Sequence, residues 1–309
     1  MSTVTITIPF EKAPIAATVY KPQRKGLPYG VILSHGAGGD HNSRGIIKLA
    51  SALSKQGFLV VAWAASTIML DRRVKQCTTV HNYCTSSALS AHASTVPTSW
   101  ILAGRSMGAR VSCSLAADIR TPTVIAVLAF SYPLHTESNP TKLRDELLIN
   151  LPKPVLMISG TSDDMCDMRI LQKVRTNMSR SRVRHWLIRI DGANCSGNVQ
   201  GGVKANEAVL NKLGELCASW VRFLVDGNAG VKAKWEACPD ATIRAQIVRR
   251  GAPVSVKLQW VADDKTKDGD DTVMEKDLAS DKDDIEAPLA KKQRQQTPSS
   301  SKKKLQSGN

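Results

Sequence analysis

Residues 99–117 read S-W-I-L-A-G-R-S-M-G-A-R-V-S-C-S-L-A-A, and the five at 104–108, G-R-S-M-G, decide the fold. An apolar strand, Trp100 to Ala103, runs into them, and a helix of small residues follows from Gly108 to Ala117. G-x-S-x-G between a strand and a helix predicts a tight turn that strains the serine backbone. Glycines two positions to either side relieve the crowding. Ser106 Oγ then projects beyond the carboxyl end of a sheet. The following helix aims its N-terminus at charge developing on a bound oxygen. The bare pattern is weakly specific, and its strand–turn–helix context sharpens it.

Outward from this turn, short apolar runs alternate with amphipathic stretches. Strands are expected in T-V-T-I-T-I, A-A-T-V-Y, Y-G-V-I-L-S, F-L-V-V-A-W, T-V-I-A-V-L-A-F, P-V-L-M-I-S-G and V-R-H-W-L-I-R-I. Most are continuous apolar runs, as strands buried on both faces require. Helices are expected near 43–56, 70–85, 107–118, 165–178 and 204–225. In the last, Val209, Leu213, Leu216, Trp220 and Leu224 recur at three- and four-residue steps. The alternation predicts an α/β fold with a mainly parallel sheet and helices on both faces. It occupies residues 1–226. Residues 227–262 read as an extension holding a helix, broken near Pro239 within 231–250, and a short strand with Val254, Val256, Leu258 and Trp260 on one face. Residues 263–309 have almost no large apolar side chains and read as a disordered charged tail.

Two further motifs sit at expected carboxyl ends of strands. L-S-H-G-A-G-G-D, 33–40, is a glycine-rich loop whose backbone N–H groups can approach a ligand oxygen. Ala37 N–H and Met107 N–H are the expected oxyanion donors. The loop lacks the lysine and the spacing of a phosphate-binding loop. His35, just before the glycines, reads as a residue that orients the loop. S-G-T-S-D-D-M-C-D, 159–167, follows an apolar strand and brings an acid after the nucleophile in chain order. Asp163 is favoured over Asp164, and the competing role is an N-cap for the helix at 165–178. No metal or cofactor is expected.

With these motifs in place, the chain resembles the α/β-hydrolase family that includes testis-expressed protein 30 and subunit 3 of the NSL histone-acetyltransferase complex, a dienelactone-hydrolase-like group. The resembling stretches are L-S-H-G-A-G-G-D, G-R-S-M-G-A-R, S-Y-P-L-H at 131–135, K-L-R-D-E at 142–146, S-G-T-S-D-D-M-C and H-W at 185–186. They span roughly 15–225. The resemblance implies an α/β-hydrolase-like fold, Ser106 as nucleophile and Asp163 as acid. It also implies a histidine in an A-N-H-S context after the last of these strands, where this chain reads A-N-C-S. Cys195 therefore stands at the third triad position.

The substitution bears on chemistry. A serine hydroxyl loses its proton as it attacks, and a neutral imidazole is suited to take it. A thiol is mostly protonated at neutral pH and has no second nitrogen to engage an aspartate. The six histidines are 35, 41, 81, 92, 135 and 185, and none follows that strand. Three readings stay open: a pseudoenzyme scaffold or interaction protein, a weak hydrolase of a small ester, thioester or amide using His35, His135 or Cys195, and a site that binds a ligand without turnover.

Composition narrows the setting. Hydrophobic residues at 42% exclude a wholly disordered chain. The longest apolar run, Phe58 to Ala65, is too short to span a bilayer, and the first residues carry no pattern of a secretory leader. Seven scattered cysteines fit reduced thiols, hence cytoplasm or nucleus. Residues 1–226 carry 26 Lys and Arg against 14 Asp and Glu, so acidic partners are compatible with the body. K-K-Q-R at 291–294 and K-K-K at 302–304 read as a bipartite nuclear import signal or a nucleic-acid contact. The expected partners are thus a small ester-type ligand or a protein, including one of a chromatin-linked complex, with no membrane span.

Overall fold

The computed structural model describes residues 2–118, 120–226, 229–246 and 254–261. Ten strands form one sheet: β1 (Thr3–Ile8), β2 (Ile15–Tyr20), β3 (Tyr29–Ser34), β4 (Leu59–Trp63), β5 (Ser99–Arg105), β6 (Val124–Phe130), β7 (Val155–Gly160), β8 (His185–Ile190), β9 (Asp240–Gln246) and β10 (Ser255–Val261). Their spatial order is β1-β2-β4-β3-β5-β6-β7-β8-β9-β10. Neighbours from β4 to β9 are parallel, while β1–β2, β2–β4 and β9–β10 are antiparallel. The sheet is therefore mixed, with a parallel centre as expected. Among the described residues seven α-helices cover it: α1 (Arg44–Ser54), α2 (Leu70–Thr85), α3 (Met107–Ala116), α4 (Glu146–Ile149), α5 (Met168–Arg180), α6 (Gly202–Asp226) and α7 (Ala229–Ala237).

The apolar runs explain the two layers. Side chains alternate across a strand, so a continuous run feeds both faces. Trp100 and Leu102 of β5 enter one core, under α2, α3, α4 and α5. Ile101 and Ala103 enter the other, under α1, α6 and α7. The stripe expected in the last long helix is buried in α6 at Val209, Leu213, Leu216 and Trp220. Each fully buried side chain of this size contributes roughly 1.5–3 kcal/mol. All seven cysteines are free.

Two local expectations are corrected. The helix expected from 165 begins at Met168, capped by Asp167, whose side chain accepts from Arg169 and Ile170 N–H. Neither Asp163 nor Asp164 is its cap. The helix expected to continue through 231–250 stops at Ala237, and β9 follows. Ala, Arg and Gln favour helix there, but tertiary contacts override propensity. Asp240 is buried and binds Arg175 of α5 (2.5 and 2.9 Å) and Arg189 of β8 (2.7 Å). β10 is the short strand the alternation predicted. Its Trp260 stacks edge-on against Trp235 of α7, with centroids 4.7 Å apart. The disordered tail expected at 263–309 and its basic clusters lie outside the described residues.

Candidate active site

β5 ends in the strained turn the sequence called for. Ser106 has φ 52° and ψ −117°, a backbone conformation side-chain-bearing residues rarely adopt. It persists because the neighbours fix it: Ser106 N–H donates to Phe130 O of β6 at 2.9 Å, and α3 begins one residue later. A Cβ on Gly104 would lie 2.1 Å from the Gly108 carbonyl carbon. One on Gly108 would lie 2.3 Å from Ser34 O of β3. Both glycines are thus required by close backbone approach. Among the described residues the Ser106 hydroxyl has no hydrogen-bond partner.

The glycine-rich loop after β3 lies against this turn. A Cβ on Gly36 would point to within 3.6 Å of Ser106 Cβ. Its carbonyls are turned away by Arg73 of α2, which is 2% exposed. Arg73 Nη1 donates to His35 O (3.0 Å), Nη2 to Gly36 O (3.2 Å) and Nε to Thr67 O (2.5 Å). In a trans peptide C=O and N–H point oppositely, so the Gly36 carbonyl on Arg73 sends Ala37 N–H the other way. Neither Ala37 N–H nor Met107 N–H has an acceptor among the described residues. Met107 N–H is also the first of a helix, where the dipole favours negative charge.

The loops that follow β7 and β8 converge with β5 at this end of the sheet. Ser162 N–H donates to Ala193 O at 2.9 Å, tying the loop of Asp163 to the loop of Cys195. Arg105, next to Ser106, donates from Nη2 to Cys195 O at 3.2 Å. Asn194 Oδ1 accepts from Ser196 and Asn198 N–H and shapes the turn. Asp163 is buried. Its Oδ1 accepts from Met165 N–H at 2.9 Å, while Oδ2 is buried with no hydrogen-bond partner among the described residues. Burial lifts its carboxyl above the ordinary value. Asp164 adds to the lift, and Met165 N–H, Arg105 and His135 oppose it. Cys195 is half-buried.

The two histidines expected as alternative bases are both engaged. His35 Nδ1 faces Gly36 O at 2.6 Å, and its Nε2 accepts from Ala65 N–H at 2.8 Å. Burial lowers its pKa, so the ring is neutral at pH 7. His135 Nδ1 faces Thr136 O at 3.0 Å, and its Nε2 accepts from Asp167 N–H at 3.3 Å. Each ring therefore carries its proton on Nδ1 and spends its lone pair on a backbone amide. The two bonds of its ring tie His35 to the glycine-rich loop and to the backbone just after β4. His81 lies on α2 with Nε2 2.8 Å from Thr123 Oγ1. S-Y-P-L-H and K-L-R-D-E pack together: Tyr132 OH donates to Arg144 O, and Arg144 N–H donates to Leu134 O, both at 2.7 Å.

Sequence reasoning missed Arg73 and Arg105. The only signal for Arg105 is its place inside the elbow motif, and Arg73 sits in an ordinary run of charged helix residues.

Residues 29–200 match the family model described as an alpha/beta hydrolase domain. The fold is similar to that of dienelactone hydrolase from Anabaena variabilis, with 15% identity and a TM-score of 0.53 over 72% of this chain and 98% of that one. Est1E from Butyrivibrio proteoclasticus has 15% identity and a TM-score of 0.54, over 70% and 98% of the two chains. An alpha-beta serine hydrolase homologue from Coxiella burnetii has 19% identity and a TM-score of 0.51, over 74% and 99%.

Proposed function

The chain belongs to the alpha/beta hydrolase domain family, and from that premise we propose that it is a catalytically impaired member. It keeps an acyl-transfer nucleophile, Ser106, with oxyanion donors at Ala37 and Met107 and an acid at Asp163, but it lacks the general base. Its role is then that of a scaffold or interaction protein whose site holds a small ester-type ligand with little or no turnover. The observation that carries this reading is Asp163 Oδ2, buried and without a hydrogen-bond partner among the described residues. In a complete triad that oxygen accepts from the histidine that orients on it. Cys195, in the loop where the resemblance expects that histidine, cannot supply the second nitrogen.

A second reading, a weak hydrolase of esters, thioesters or amides, draws on the intact elbow and the unpaired N–H groups. Oxyanion stabilisation and binding alone retain roughly 10³–10⁴ over water. Labelling by a fluorophosphonate probe separates the two. The first reading expects wild type to label slowly, at least about a hundredfold below a serine hydrolase with its base, and Ser106→Ala not to label. Fast wild-type labelling that Ser106→Ala abolishes would favour the weak hydrolase and overturn the first reading.

The finer resemblance, to testis-expressed protein 30 and the NSL complex subunit, extends the proposal to a protein partner in a chromatin-linked complex and to the nucleus. The basic clusters at 291–294 and 302–304 support that extension. A reporter fused to residues 287–309 should accumulate in the nucleus, and an even cellular distribution would count against it.

A further inference from the structure

A cavity of about 560 Å³ opens between α1 and α6, beside the loop of Cys195. That is within the roughly 300–1,000 Å³ of small-molecule sites. Neither Ser106 nor Asp163 lines it. Leu49, Phe130, Ile190 and Leu213 give it apolar walls, and Arg44, Lys48 and Arg105 bring positive charge. Arg105 reaches it because side chains alternate along β5: Ile101 and Ala103 face α1 and α6, and Arg105 follows on that side. Gly45 makes room, since a Cβ there would lie 2.6 Å from Arg105 Nη1.

The charge is poorly matched within the chain. Of the five N–H donors of Arg105, one meets the Cys195 carbonyl. Among the described residues no carboxylate stands within ion-pair distance of Arg105 or Arg44, and the groups whose negative charge favours the Arg105 cation are Cys195 and then Asp163. Lys48 has Glu207 at 3.4 Å. A partly buried guanidinium with unused donors beside apolar walls is unfavourable unless a ligand supplies the anion. A carboxylate fits its planar fork with two oxygens.

We propose that this cavity binds an amphiphilic carboxylate, its head group on Arg105 and Arg44 and an apolar chain or ring of roughly ten carbon atoms along Leu49 and Leu213. The proposal does not depend on whether Ser106 turns over. Calorimetric titration of the full chain with decanoate and with decanol tests it. Decanoate should bind at least about tenfold more tightly than decanol. Arg105→Gln should weaken decanoate by about tenfold, and Arg44→Gln, at an exposed position that leaves the fold intact, by about threefold. Ser106→Ala should bind decanoate as wild type does. Equal affinities for decanoate and decanol, no binding of decanoate, or unchanged decanoate binding in both arginine variants would overturn it. Loss of decanoate binding in Ser106→Ala would do so as well, by moving the ligand to the elbow.

Discussion

At Asp163 the chain buries a carboxylate and pairs one of its two oxygens. Burial raises its pKa, so the folded state holds the proton more tightly than the unfolded chain does. Ionisation therefore weighs against folding above the raised value, and the penalty fades as pH falls toward the unfolded value of about 3.9. Asp163→Asn should raise the thermal midpoint at pH 7, with the gain shrinking toward pH 4. A variant less stable than wild type at pH 7 would contradict an unpaired buried charge. Arg73 carries the opposite dependence, of structure on a residue outside every motif. Arg73→Met removes three charge-assisted bonds to loop carbonyls and should cost about 3 kcal/mol in urea unfolding. A loss below 0.5 kcal/mol would deny it the loop. The places of Ser106 and Asp163 at the ends of β5 and β7 were legible because motif and strand ends mark them. Arg73 and Arg105 were not, because their partners at His35, Gly36 and Cys195 are carbonyls 37 to 90 residues away, which no spacing reveals.

Among the elements, the elbow tolerates little. A methyl on Gly108 would meet Ser34 O at 2.3 Å, and that neighbour is backbone of a central strand. Gly108→Ala should therefore destabilise by at least about 3 kcal/mol, at or beyond the usual range for overpacking. Serine-probe labelling should fall with it, and a variant of unchanged midpoint would show the helix can shift. The alternation of apolar strands and amphipathic helices was legible because burial on both faces leaves a continuous apolar run, as in β5 and β6. The identity of β9 was not. Its Ala-, Arg- and Gln-containing sequence suits a helix, and what makes it a strand is Asp240 between Arg175 and Arg189, together with pairing to β8. The start of α5 was misread for a related reason, since three aspartates lie within 163–167 and only geometry shows that Asp167 caps.

For the molecule as a whole, the parallel centre of the sheet brings the segments after β3, β5, β7 and β8 to one end, and under the proposed function they make up an acyl-transfer apparatus without a free imidazole. His35 and His135, close in sequence to the loops that form the site, are spent on backbone amides. Cys195 lies on the loop that the loop of Asp163 contacts through Ser162 and Ala193. Under the proposed function a missing base, not a faulty nucleophile or oxyanion loop, limits this site. The direct measurement is the labelling rate of Ser106 by a fluorophosphonate probe in wild type and in Cys195→His. A general base is worth about 10²–10⁴-fold. Because the loop was not shaped to hold a ring in its productive tautomer, a gain of at least about tenfold is the expected result. Rapid wild-type labelling with no gain from Cys195→His would contradict the account.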